Sequence, residues 1–227
     1  MLFGSHRLFD SGSISASSGG VASFGFIAQR STTSITTNLT LPTGSQAGDL
    51  VVYLMLSNNS IEGPTGWTSI DYMSYSTSPN QRYIEAFYKI LTSSDVSAGS
   101  ISQAGVNNTI ERRALTFRPS TPITTANVIG YSQLTSRTST VSGLEMNSGL
   151  SNPCLVFAHY SLGPYATPTN DITFSNADGT TGTYRGLIAV AYELTAPTGS
   201  ITARSTNGVT ISSTDYWATA IFAITAT

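Results

Sequence analysis

Charge is scarce in this 227-residue chain: ten lysines and arginines stand against twelve aspartates and glutamates, for a formal net charge of -2. Lys89 is the sole lysine. So few scattered cations offer no surface able to track a phosphate backbone, and nucleic acid is not an expected partner. Arg112-Arg113 is the one paired cation, and we read it as a solvated edge or a subunit contact. Cysteine is limited to Cys154, which has no partner for an intramolecular disulfide and reads, within an apolar run, as a small core hydrophobe. The two histidines, His6 and His159, are far apart and supply no zinc-ligand spacing. His159 lies between Ala158 and Tyr160 in a strand-like run and reads as a hydrogen-bonded structural residue. Asp95, Asp171 and Asp178 never crowd into the acidic loop that calcium requires. Neither a phosphate loop nor a Gly-x-Ser-x-Gly elbow is present. We therefore expect no metal, no cofactor and no enzymatic activity, although a carboxylate pair converging from distant strands is invisible at this level. No stretch approaches the ~18 apolar residues that span a bilayer, and the start lacks the order of a signal peptide. We expect no membrane partner.

What the chain has in abundance is hydroxyl: 67 serines and threonines. Thr, Tyr, Val, Ile and Phe suit a pleated surface, and the scarcity of Glu and Lys removes the usual helix formers. The expected fold class is all-β. Short strand-like runs alternate with turn residues, among them Pro42-Thr43-Gly44, Pro64-Thr65-Gly66, Asp178-Gly179 and Asn207-Gly208. The runs Leu50–Leu56 and Leu187–Tyr192 are apolar on both faces and should be central strands. The dense segment Tyr216–Ile224 should be a buried closing strand.

The second half replays the first. Asp49–Leu56 is answered by Cys154–Tyr160, Arg82–Leu91 by Tyr184–Leu194, Gly99-Ser100-Ile101 by Gly199-Ser200-Ile201, and Arg113–Phe117 by Ala218–Phe222. Order and spacing agree even where identity is low, which points to two pseudo-repeated packets of strands, about 36–120 and 140–227, within a body covering 21–227. Met1–Gly20 differs. Its Ser/Gly tract is flexible in type, while Leu2, Phe3, Leu8 and Phe9 are costly to leave in water. We expect an arm that docks on a partner or on a neighbouring copy. Burying side chains worth ~1.5–3 kcal/mol each also favours a homo-oligomer.

Trp67 and Trp217 read as core fillers at strand starts. Tyr72, Tyr75 and Tyr165 lie near polar loops and are the candidates for a recognition loop.

One ordered set of motifs goes further. Gly48-Asp49-Leu50-Val51-Val52, then Gly63-Pro64-Thr65-Gly66-Trp67-Thr68, then Arg82-Tyr83 leading into Ala86-Phe87-Tyr88-Lys89 resembles a series recurrent in tailed-bacteriophage virion proteins. Ala191-Tyr192-Glu193 and Trp217-Ala218-Thr219-Ala220 match the later part of that series, so the resemblance covers roughly Ser34 to Thr227. It implies a jelly-roll-like antiparallel β-sandwich on the outside of a particle, as a capsid decoration or cement protein, a head fibre or a tail-associated protein. The implied partners are other virion proteins and, for a tail location, a host surface glycan. The implied location is the virion, with synthesis in the host cytoplasm, and trimeric assembly is favoured by analogy. The resemblance brings no catalytic residues with it.

Overall fold

Residues with β-branched and aromatic side chains dominate the runs between turns, and those runs pair almost wholly as antiparallel strands. A computed structural model describes residues 22–34, 38–60, 62–77, 80–104, 109–141, 145–146, 154–162, 173–175, 180–194, 204–206 and 209–226. The expected arm Met1–Gly20, with Leu2, Phe3, Leu8 and Phe9, lies outside these residues, as do Tyr165 and the turns at Asp178-Gly179 and Asn207-Gly208.

Contacts divide the chain at about Thr124 into two units. The unit Phe24–Thr124 holds β1 (Phe24–Thr32), β2 (Asn38–Thr40), β3 (Leu50–Ser57), β4 (Thr68–Thr77), β5 (Asn80–Ile90), helix α1 (Ser93–Ala98), β6 (Ser100–Ser102) and β7 (Thr109–Pro119). Its main sheet has the order β1-β7-β3-β5-β4, and β2 pairs with β6 in a separate two-stranded sheet. The second unit holds β8 (Ala126–Val141), β9 (Glu145–Met146), β10 (Cys154–Ser161), β11 (Phe174–Ser175), β12 (Thr180–Tyr184), β13 (Ile188–Leu194), β14 (Arg204–Thr206) and β15 (Val209–Ala226). Its main sheet has the order β12-β13-β10-β15-β8, beside a small sheet β11-β14-β9.

Read from opposite ends, the two main sheets have one topology. β3 corresponds to β10, β5 to β13, β7 to β15, β1 to β8 and β4 to β12, while the β2–β6 pair corresponds to β9–β14. The ladders supply the register. Leu50 faces Ile90 and Phe117, and Cys154 faces Leu194 and Ile224. The repeat visible in the sequence is thus a repeat of strand order, with one adjustment. With the first residues of β3 and β10, Leu50 and Cys154, set as equivalent, Phe117 on the closing strand corresponds to Ile224, two positions beyond the Phe222 that the sequence alignment gives. A two-residue slip preserves which side of the sheet a residue faces, so identity alone could not detect it.

Both long apolar runs are interior strands, with β3 and β10 at the sheet centres and β13 and β15 beside β10. Two strands are long. β8 runs unbroken from Ala126 to Val141, and β15, which contains the expected closing segment Tyr216–Ile224, begins at Val209 with irregular register between Thr210 and Trp217. In the first unit Val51, Tyr53 and Met55 of β3 pack with Phe87, Ala114, Leu39, Leu41, Leu91 and Ile101, so the β2–β6 pair closes one face of the main sheet.

The pair Arg112-Arg113 is not a solvated edge: Arg112 is fully buried and Arg113 nearly so. Strand alternation sends the two to opposite faces. Arg112 donates Nη2 to the Ser34 carbonyl at 3.0 Å. Arg113 donates to Gln29 Oε1 at 3.1 Å and forms a 2.9 Å ion pair with buried Glu111. Cys154 is buried as expected, and its thiol is pushed up by burial and by the nearby Glu193 carboxylate.

The Gly-Asp step ahead of β3 has a concrete task. Asp49, 2% exposed, accepts from Arg118 Nε and Nη2 at 2.9 Å each and from the Gln46 amide at 2.7 Å. It thereby ties the entry of β3 to the end of β7. Asp49→Ala removes these bonds; the Gln46 amide loses its acceptor while the Arg118 guanidinium, 38% exposed, rehydrates, so the loss is that of an ordinary hydrogen bond, about 1 kcal/mol. We expect a loss of that size in urea unfolding with an unchanged denaturant slope.

His159 on β10 is completely buried, and burial drops its pKa to about 3. It shares its face with Thr219 of β15 and with Glu193 of β13, whose partner on β10 is Leu155. Because the folded value lies below the unfolded one, the unfolded chain takes up the proton first as pH falls. Stability is complete above about 6.5 and drains away toward 3. Met55 occupies the corresponding position on β3, so His159→Met should fit. Thermal melts across that window should fall less steeply for His159→Met than for the native protein.

Candidate functional site at the Trp67 groove

The turn preceding β4 builds one wall of a groove in the first unit. The Trp67 amide bonds to the Pro64 carbonyl at 3.1 Å, and Gly66 sits at φ 79°, as the third position of a type II turn requires. Gly63 lies so close against the Phe87 ring that a Cβ there would overlap it. The motif Gly63-Pro64-Thr65-Gly66-Trp67 is therefore spelled by close approach at one end and positive φ at the other. Gln103 fastens this segment to the sheet: it donates Nε2 to the Glu62 carbonyl at 2.9 Å and accepts from the Tyr53 hydroxyl at 2.7 Å. Burial pushes the Tyr53 hydroxyl well above its ordinary pKa, against the opposing pull of Arg112, so it remains a donor.

Trp67 is partly buried. Its ring lies 5.8 Å from that of Tyr53, tilted by 59°, and it packs against the core cluster. The reading of Trp67 as core filler is thus half of its role. The remainder lines a groove of about 350 Å³. Leu41, Leu91, Ile101 and Ala98 make the apolar lining; Thr65, Ser100 and Ser102 add hydroxyls.

Asp95 supplies the charged side of the groove. Thr92 caps α1: its hydroxyl accepts from the Asp95 amide at 3.2 Å, and the Asp95 carboxylate accepts from the Thr92 amide at 2.8 Å. This is the reciprocal capping box, legible as Thr92-Ser93-Ser94-Asp95 but passed over in the sequence because the helix is one and a half turns long. Lys89 Nζ lies 2.7 Å from Asp95 Oδ1. Burial raises the Asp95 pKa, but the bonds from Lys89 and Thr92 outweigh it and hold the carboxyl below its usual value.

Of the residues expected to form a recognition loop, Tyr72 and Tyr75 lie on edge strand β4, at register positions opposite Glu85 and Arg82. They are in a ladder and not in a loop. Among the described residues, no group of three or more His, Cys, Asp or Glu is placed to hold a metal ion, and no helix is long and apolar enough to cross a membrane. The chain matches no known protein family, no curated protein and no solved structure.

The depressed pKa makes Asp95 stabilising above its ordinary titration range, near pH 4. That stability is lost as pH falls through the folded value. Asp95→Asn keeps the Thr92 cap but removes the charge that pairs with Lys89, and should lower stability by up to about 1 kcal/mol at neutral pH. It should also flatten the acid limb of the stability profile, as read by denaturant unfolding at stepped pH.

Proposed function

We propose that this chain is a non-enzymatic structural protein of a bacteriophage virion, a capsid decoration or cement protein or a head fibre, held by the arm Met1–Gly20. The observation that carries the reading is the placement of the resembling motifs. Gly48-Asp49 anchors the entry to central strand β3, Pro64-Thr65-Gly66-Trp67 forms the turn into β4, and Ala191-Tyr192-Glu193 lies on interior strand β13. Motifs that recur in one order and also carry the structural joints of a duplicated β-fold support common descent with that class of protein. A jelly-roll-like arrangement of the sheets belongs to the same proposal.

Physical chemistry supports it too. A body rich in hydroxyls and poor in charge suits a symmetric coat, in which weak contacts made by many copies add through avidity. A homo-oligomer follows from the apolar arm, and a trimer is favoured by analogy with the virion proteins that the motifs resemble.

Mass spectrometry of gradient-purified phage particles from the source culture should find the chain in fixed stoichiometry with the major coat protein. Deleting Met1–Gly20 should leave a folded β-protein by circular dichroism that no longer joins the particle. Absence of the full-length chain from particles overturns the location, and full occupancy by the truncated form overturns the anchor.

A second reading, a tail-associated receptor- or carbohydrate-binding module, is favoured by one observation: the groove beside Trp67 combines an indole, three hydroxyls and an acid.

A further inference from the structure

We propose that the Trp67 groove binds one neutral sugar ring of a glycan, an inference that rests on the recognition reading. The groove asks for a ligand that is apolar on one face and rich in hydroxyls at its edge. Trp67 offers ring surface whose negative π-face attracts the weakly positive C–H bonds on the flat side of a pyranose. Thr65, Ser100 and Ser102 each donate and accept, and the Asp95 carboxylate, which already accepts from Lys89 and from the Thr92 amide and hydroxyl, has one lone pair left for a sugar hydroxyl. At about 350 Å³ the groove lies at the lower end of the range for small-molecule sites, about 300–1,000 Å³. That suits a terminal residue with the remainder of the glycan outside.

Charge selects the class of sugar. Among the described residues no lysine or arginine lines the groove, and Lys89 beside it is bound to Asp95 at 2.7 Å. A sialic or uronic acid would set its carboxylate near Asp95 with no cation free to receive it. A neutral hexose or N-acetylhexosamine meets no such cost. The site is also well supported. Trp67 is braced by Tyr53, and the Glu62–Trp67 segment is held by Gln103 and the type II turn, so little ordering remains to oppose binding.

The test is a glycan array with the full-length protein, followed by calorimetric titration of the neutral sugar terminating the best binders. The native protein should bind glycans ending in a neutral sugar. Trp67→Ala should weaken binding by roughly tenfold or more. Because Trp67 also packs on the core, Thr65→Arg provides the second variant. Thr65 is exposed in the turn, so the arginine fills the groove without touching that packing. It should abolish binding at an unchanged melting temperature, whereas Tyr165→Ala should bind normally. Binding that survives Thr65→Arg but is lost in Tyr165→Ala overturns the groove and leaves the recognition reading standing. Preference for sialylated or uronic glycans overturns the neutral-sugar assignment, and no binding to any glycan overturns both.

Discussion

The closed position of β3 constrains everything around it. The strand is paired to β5 and β7 along its whole length, and Leu50 to Leu56 are all fully buried. A strand with no exposed face and no free edge has no tolerated slip, because a shift by one residue would exchange the two sets of core contacts. β10 is in the same position in the second unit, between β13 and β15, with Cys154 to Tyr160 buried. Two such strands set the register of two five-stranded sheets. The turns, the caps and the Trp67 groove hang from that frame.

Burying these strands also encloses charge. Arg112, Arg113, Glu85 and Glu111 are all within a few per cent of full burial, which is uncommon for groups whose dehydration is costly. The Glu111–Arg113–Gln29 chain and the bond from Arg112 to the Ser34 carbonyl return some of the lost hydration. Removing one member would leave the other ion buried and exposed to the full penalty. Such a network adds less to stability than to specificity, since a wrongly paired β7 would strand its charges. The second unit solves the corresponding position differently, with Thr219 where the first has Arg112 and His159 where it has Met55. The duplicated strand order is shared while the interior chemistry has diverged, and the low identity between the halves reflects this.

The groove shows how a functional surface arises from structural motifs. Each of its polar walls has a prior structural duty: Asp95 completes a helix cap, Trp67 follows a type II turn and packs on Tyr53, and Ser100 and Ser102 sit in β6. None of these residues carries a local signature of binding. Trp67 was legible as an aromatic at a strand start, and the capping box as a Thr-x-x-Asp spacing. Their meeting was not, because they approach from segments nearly thirty residues apart in sequence.

The sequence by itself determined the fold class, the interior strands, the turns at Pro42-Thr43-Gly44 and Pro64-Thr65-Gly66, and the duplication. These depend on period, composition and order, which are local or counted along the chain. Tertiary structure alone decided that Arg112 and Arg113 are interior, that Phe117 answers Ile224, and that Trp67 and Asp95 share a groove. Each of those outcomes depends on which strands lie side by side and at what offset. Alternation tells a residue that it changes face at every step, but only the neighbouring strands decide which face is buried and what waits there.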